Sequence, residues 1–247
     1  MRFARYMLFA MLVSAIVRAG EPLDRIVATV DHHAITRSDV EQEARFTHLT
    51  AGLSVAVSVQ DEIAALERLV DRNLIADQVA VFGVVPVTRK ELDARLLEMR
   101  RQLPGAESDA GWRRLLAEHG LNEEDVESRI DQEIQTLRFI DLRFRSEVRV
   151  GPRAIQTYYE TKFAPEMRKK GLAPPPVERV QDQIEAILRE ERVNALISEW
   201  LKTLRTQSRI QTFDPSLPLP LERKTPDVSD LHFLPLHVTG PNQAAKQ

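Results

Sequence analysis

Apolar side chains recur every three or four residues along most of the chain, which is the spacing of one face of an α-helix. The clearest example begins at Gln60 and ends at Gly83, where glycine and the nearby Pro86 stop a helix. We therefore predict a long helix here with one side packed inward. Its predicted inward positions are Ile63, Leu66, Val70, Leu74 and Val81.

Other stretches repeat this spacing, and several begin with side chains that cap a helix. Ser38 to Glu41 and Thr88 to Glu91 both match a capping box, in which a hydroxyl and a carboxylate satisfy free N–H groups of the first turn. Asn122 precedes a third long pattern. The predicted helices start near Asp39, Thr88, Trp112, Asn122, Pro152 and Val177, and the last one ends near Thr206.

Short β-prone runs lie near both ends of this helical region. Ile26 to Val30 and Ala34 to Thr36 flank Asp31-His32-His33 and predict a small hairpin. Ile210 to Phe213 predicts one more strand, and an isolated hairpin is marginally stable in water. We therefore expect the late strand to join the hairpin, so the predicted fold is mainly α with a hairpin that a C-terminal strand completes.

Two proline-rich stretches interrupt the pattern. Residues 164–176 predict a hinge that carries the basic cluster Arg168-Lys169-Lys170, for which a solvated loop is the alternative to an anion-binding site. Residues 214–247 contain many prolines and little periodicity, which predicts a mobile tail. The predicted domain therefore covers residues 20–213.

The first 19 residues have the order of a secretory signal peptide. Arg2 and Arg5 precede an apolar stretch from Tyr6 to Val17, and Ala19 ends a plausible cleavage site. The alternative is an amphipathic or buried first helix. Export would place the product in the periplasm, or outside a cell with one membrane. No later segment predicts stable insertion into a membrane.

Composition excludes several classes of function. The formal net charge is −3 with no dominant basic block, so nucleic acid is not a predicted partner. The chain has no cysteine, which excludes disulfides and thiolate chemistry. No phosphate loop, dinucleotide fingerprint or GxSxG motif occurs, so we predict neither a cofactor nor ATP use nor a catalytic residue.

The adjacent histidines His32 and His33 are the most tempting metal ligands. Neighbouring residues on a hairpin point apart, and no second ligand motif accompanies them in the sequence. We therefore assign them to a turn and predict no metal site.

The order of these elements resembles that of the SurA-like chaperone family. The segments RIVATVDHHAITRSDV and LERLVDRNLIADQVAVFGVVPVTRKELDARL are similar to the N-terminal chaperone domain of SurA, with related segments in PrsA, PpiD and trigger factor. The segment EAILREERVNALISEWLKTLRTQSRIQTF, with Trp200 and Arg205, is similar to the helix and strand that complete that domain. The resemblance implies a chaperone that holds unfolded or nascent exported polypeptides.

The chain departs from the family in one respect. SurA-like proteins usually carry parvulin peptidyl-prolyl isomerase domains before the last helix, but here fewer than twenty residues separate Tyr159 from Val177. Such a domain needs on the order of a hundred residues. We therefore expect a non-catalytic relative. The alternatives are a peptidyl-prolyl isomerase by homology, or a structural protein that forms a homodimer or serves one secretion partner.

Client binding requires apolar side chains that remain partly open to solvent. Two groups of residues fit this expectation: those in and after the first helix, and those around the irregular middle of the chain. Ordinary core packing is the alternative for each one. The candidates are Phe46, Leu49, Leu53, Met99, Leu103 and Trp112.

Overall fold

A computed structural model describes residues 24–219. Within this range the fold is mainly helical with a small three-stranded antiparallel sheet, which confirms the predicted fold class. The predicted signal peptide, residues 1–19, lies outside the described residues, as does the predicted tail beyond residue 219.

The sheet brings the two ends of the described chain together. Strands β1 (Ile26–Val30), β2 (His33–Thr36) and β3 (Ile210–Thr212) lie in the order β2-β1-β3, so the late strand pairs with the hairpin as predicted. The turn is shorter than predicted, because His33 already belongs to β2 and pairs with Val30. Asp31 adopts a φ of 51°, a left-handed conformation that aspartate tolerates better than most residues.

The helices follow the predicted order, except that one short helix, Ala164–Lys169, lies within the predicted hinge. They are α1 (Arg37–Thr50), α2 (Val59–Phe82), α3 (Arg89–Gln102), α4 (Asp109–Glu118), α5 (Glu123–Ile140), α6 (Pro152–Tyr158), α7 (Ala164–Lys169) and α8 (Val177–Gln207). π-Helical turns at Asp141–Arg145 and Tyr159–Phe163 continue α5 and α6.

The predicted capping box at Thr88 and the predicted cap at Asn122 both form, and Asn122 also makes a capping box with Asp125. The predicted box at Ser38 is wrong, because α1 begins two residues earlier. Thr36 leaves β2 in an extended conformation, and its hydroxyl accepts a hydrogen bond from the N–H of Asp39. The Asp39 carboxylate accepts from the N–H of Thr36 at 2.8 Å, so strand and helix meet at one residue.

Buried apolar side chains form successive cores along the described chain. The first lies between the sheet, α1 and α2, and the second lies between α1, α3, α4 and α5. The third joins α2, α5 and α8, and a smaller one joins α6 to α8. Helices α2 and α5 each contribute to two of these cores, so they form the frame on which the other helices pack.

One predicted inward position is exposed instead, as is one apolar side chain of the last helix. Val81 of α2 is 87% exposed, and Leu196 of α8 also faces solvent. The last residue of α2 buried in a core is Val79, and a residue two positions further lies about 200° around the helix. Val81 therefore points away from the core although its spacing from Leu74 suits a helix face.

The packed chain extends beyond Phe213, where we predicted the mobile tail to begin. Leu217 is fully buried in the core beneath the sheet, and Leu219 packs against the same core. The buried carboxylate of Asp214 accepts a hydrogen bond from Arg25. Residues 214–219 therefore belong with the packed domain, because Leu217 is part of the core that lies between the sheet, α1 and α2.

The predicted hinge at residues 164–176 is partly helical. Helix α7 occupies Ala164–Lys169 and includes Arg168 and Lys169 of the basic cluster. Pro165 lies in the first turn of α7, directly after the π-helical turn Tyr159–Phe163. The irregular part begins at Lys170, and Gly171 has a φ of 72° that glycine adopts easily.

None of the helices within residues 24–219 combines the length and the apolar character that a membrane span requires.

Candidate functional site

Most of the side chains predicted to contact a client are buried. Five of the six lie together in the second core, between α1, α3, α4 and α5. Core packing was the alternative that the sequence left open for each of them. These five are Phe46, Leu49, Met99, Leu103 and Trp112. Only Leu53 is exposed, at 53%. The five buried residues hold α3 and α4 against α1 and α5.

Leu53 belongs to an ordered loop, residues 51–58, which we call the α1–α2 loop. Its neighbours Val55 and Val59 also expose their side chains. The ring of the buried His48 anchors the loop, because its Nδ1 lies 2.6 Å from the carbonyl oxygen of Ser54. The loop therefore presents apolar side chains to solvent from a fixed backbone.

The end of this loop is also held by contacts to the carboxylate of Asp61. The hydroxyl and N–H of Ser58 donate to the carboxylate of Asp61 and lower its pKa, and the nearby ring of His48 adds to this effect. Nε2 of His48 lies 3.3 Å from that carboxylate. The start of α2 is therefore tied to α1 through one histidine.

A second exposed apolar group, which we call the α2 apex, lies where α2 ends and consists of Val81, Phe82 and Val85. Val85 is 70% exposed, and Phe82 is about half exposed while its ring contacts Phe139 edge-on at 5.4 Å. Sequence reasoning missed this group. The sequence does contain an indication of it. Residues 79–85, VAVFGVV, place apolar side chains on all sides of the helix rather than on one face.

The backbone of the α2 apex is held in place from α5. The guanidinium of Arg138 donates to the carbonyl oxygens of Val85 and Pro86 at 2.6 and 2.9 Å. It also donates to Glu91 of α3. The exposed apolar side chains therefore project from a segment that three helices constrain, and the entropy cost of ordering it on binding is small.

A polar cleft of about 460 Å³ separates β2, α1 and α2 from α5. Its walls carry the side chains of Gln42, Asn73, Ser128 and Gln132, which form no hydrogen bond with another residue in the range 24–219. These groups offer donors and acceptors that suit the backbone of an extended peptide.

A buried carboxylate lies beside this cleft. Glu43 of α1 is fully buried and contacts Arg68, Arg72 and Arg129, of which Arg72 and Arg129 also line the cleft. Three guanidinium groups thus surround one carboxylate. The carboxylates of Asp39, Glu124 and Asp125 also line the cleft, so its walls carry groups of both charges.

We expected the side chains of the two adjacent histidines to point apart, but they lie side by side. The rings of His32 and His33 lie 4.0 Å apart between centroids, and both face Asp77 of α2. His33 donates from Nε2 to a carboxylate oxygen of Asp77 at 2.8 Å. The cause is the two-residue turn, which places His32 in the turn and His33 in the strand, so the usual alternation of strand side chains does not apply to the pair.

Comparisons with known proteins agree with the resemblance found in the sequence, although no family model matches the chain. The chain is 28% identical over 152 residues to a protein named Chaperone SurA from Pseudomonas putida, covering 60% of this chain and 35% of that protein. It is 28% identical over 160 residues to Chaperone SurA from Pseudomonas syringae pv. tomato, covering 62% and 36%. This chain is similar to SurA chaperones. The similar region spans about a third of the length of these relatives.

Proposed function

We propose that this chain is an ATP-independent chaperone of the bacterial envelope that holds unfolded exported polypeptides without chemical change. The observation that carries this proposal is the similarity to two proteins named Chaperone SurA over more than half of the chain. The exposed apolar side chains of the α1–α2 loop and the α2 apex supply surfaces on which such clients could be held. We place the protein in the periplasm because its first residues resemble a signal peptide.

The two surfaces suit weak and tolerant binding. The exposed fractions of Val81, Phe82 and Val85 together equal about two fully exposed side chains, whose burial is worth about 3–6 kcal/mol before the cost of association. Contact at the α2 apex alone is therefore weak. Simultaneous contact at a second surface raises the overall affinity, because the second event becomes intramolecular.

The spacing of the two surfaces sets the length of client that can contact both. They lie at opposite ends of α2, a helix of 24 residues that is about 36 Å long. An extended polypeptide covers this distance with about eleven residues. We therefore propose that unfolded segments of at least this length bind better than shorter ones.

We propose further that the chain has no peptidyl-prolyl isomerase activity. Helix α6, the π-helical turn after it and α7 occupy the region in which SurA-like proteins usually insert a parvulin domain. An isomerisation assay on a short proline peptide tests this point, and acceleration above the uncatalysed rate would contradict it. The comparisons lend no support to the homodimer that the sequence left open, and we do not propose one.

The holding function is tested by the aggregation of an outer-membrane protein diluted from urea, followed by light scattering. We expect residues 20–247 to suppress scattering at a near-equal molar ratio. The double variant Val81→Ser/Val85→Ser should suppress it less, because it removes the most exposed apolar groups. Leu196→Ser on α8 is the matched control, since it removes an exposed apolar side chain from a different surface.

The outcomes separate the function from the site. If the unmodified chain leaves scattering unchanged, the holding function is wrong. If the chain suppresses scattering but Val81→Ser/Val85→Ser and Leu196→Ser behave alike, the function stands and the α2 apex is not the binding surface. The corresponding variant of the α1–α2 loop, Leu53→Ser/Val55→Ser, then tests the second surface in the same assay.

A further inference from the structure

The tip of the hairpin and the last third of α2 bring three metal-ligating side chains together. Nε2 of His33 lies 2.8 Å from Oδ1 of Asp77, and Nε2 of His32 lies 3.8 Å from the same oxygen. One ligand atom from each of the three residues lies within 4.8 Å of the other two. The cluster joins residues that are 44 positions apart in sequence, so it depends on the packing of the hairpin against α2.

These separations are close to those of a tetrahedral metal site. Zinc binds histidine nitrogen and carboxylate oxygen at about 2.0–2.2 Å, which places neighbouring ligand atoms about 3.3–3.6 Å apart. The two observed distances lie on either side of this range. The His32 ring is exposed and the His33 and Asp77 side chains are partly exposed, so all three have room to adjust on binding an ion.

The hydrogen bond between His33 and Asp77 does not account for the position of His32. The His32 side chain is 74% exposed and makes no hydrogen bond to another described residue, yet its ring lies against that of His33 and its Nε2 faces the shared carboxylate. If the His32 ring contacted only solvent, it would be free to rotate away from His33 and Asp77. Placement beside the second imidazole is the arrangement that a shared cation requires.

We propose that His32, His33 and Asp77 bind a zinc ion at the surface of the domain. Two imidazoles and one carboxylate are a donor set that zinc accepts, whereas magnesium and calcium prefer oxygen ligands alone. Exposure of the site leaves water to complete the fourth position. This proposal is independent of client holding.

Bound zinc would link the sheet to the helical frame. His33 begins β2, which pairs with the central strand β1, and Asp77 lies on α2, which packs in two cores. An ion shared between them connects the hairpin to α2 more strongly than one hydrogen bond does. The expected effect is therefore a zinc-dependent gain in thermal stability.

The test is a calorimetric titration of the tag-free chain with zinc chloride. The background variant His232→Gln/His237→Gln removes the two other histidines that lie outside the described residues and could bind zinc themselves. We expect the background variant to bind one ion per chain. Adding His33→Gln or Asp77→Asn should raise the dissociation constant at least about tenfold. Zinc at a hundred times the dissociation constant should raise Tm by about 5–10 °C.

Matched variants separate metal binding from folding. Glutamine at position 33 can still donate to Asp77, so His33→Gln should lose zinc affinity while its Tm in zinc-free buffer changes little. Asp182→Asn, which alters an exposed carboxylate of α8, should bind zinc as the background variant does. The proposal is overturned if the background variant binds no zinc, or if His33→Gln and Asp77→Asn bind it with unchanged affinity.

Discussion

The buried carboxylate of Glu43 offers the most direct test of how this fold is held together. The guanidinium of Arg68 donates to one carboxylate oxygen at 3.1 Å, and that of Arg72 donates to the other at 2.6 Å. Nη2 of Arg129 lies 2.6 Å from this second oxygen. Because the partners lie on α2 and α5, one side chain of α1 joins three helices. We predict that Glu43→Gln strongly destabilises the domain.

The magnitude follows from burial. Glutamine keeps the shape of Glu43 but removes its charge, so three guanidinium groups are left around a neutral amide. Removing one partner of a buried ion pair costs about 3–5 kcal/mol. In a domain of this size each kcal/mol lowers Tm by about 2–4 °C, so we expect Tm to fall by about 6–20 °C.

Glu41 provides the control on the same helix. Its side chain is 38% exposed and forms ion pairs with Arg37 at 3.2 Å and with Arg45 at 3.1 Å. Exposed pairs contribute about 0–1 kcal/mol, so Glu41→Gln should be nearly neutral. Urea unfolding followed by circular dichroism measures both variants. Equal losses of unfolding free energy in the two variants, within about 1 kcal/mol, would refute the reasoning about burial.

Two further predictions concern a helix cap and the chain end. Hydrogen bonds from the hydroxyl and N–H of Thr88, and the charge of Arg138, lower the pKa of Glu91 from 4.5 to about 2. The stabilisation is therefore present above pH 4.5 and is lost as the pH falls towards 2, so urea unfolding of Glu91→Gln should depend less on pH in this interval. Leu217→Ala should reduce the unfolding free energy by about 2–5 kcal/mol, because Leu217 is fully buried. A loss below about 1 kcal/mol in the same assay would contradict the packing of residues 214–219.

The sequence predicted the secondary structure better than the candidate site. The starts of α3 and α5, the pairing of β3 with the hairpin and the long helices all follow from capping residues and apolar spacing. The same spacing cannot distinguish an apolar side chain that is exposed from one that is buried under another helix. Met99 and Trp112 were predicted to bind clients and are buried in the second core. Val81 was predicted to be buried and is exposed.

Contacts between distant residues account for the remaining differences. Leu217 lies between Pro215 and Pro218 and has no periodic neighbours, so only the space under the sheet shows that it is buried. Asp77 lies on a polar face of a predicted helix, and nothing local relates it to His32 and His33. In each case the deciding neighbour comes from an element far away in the chain.

The sequence by itself determined the order and approximate position of most helices and strands, because caps, turns and apolar periodicity act through residues a few positions apart. Only the tertiary structure decided which apolar side chains remain open to solvent at the α2 apex. It also decided that three arginines surround Glu43 and that two histidines meet Asp77. Burial and charge pairing depend on which surfaces pack together, and packing is a property of the whole fold rather than of any one segment.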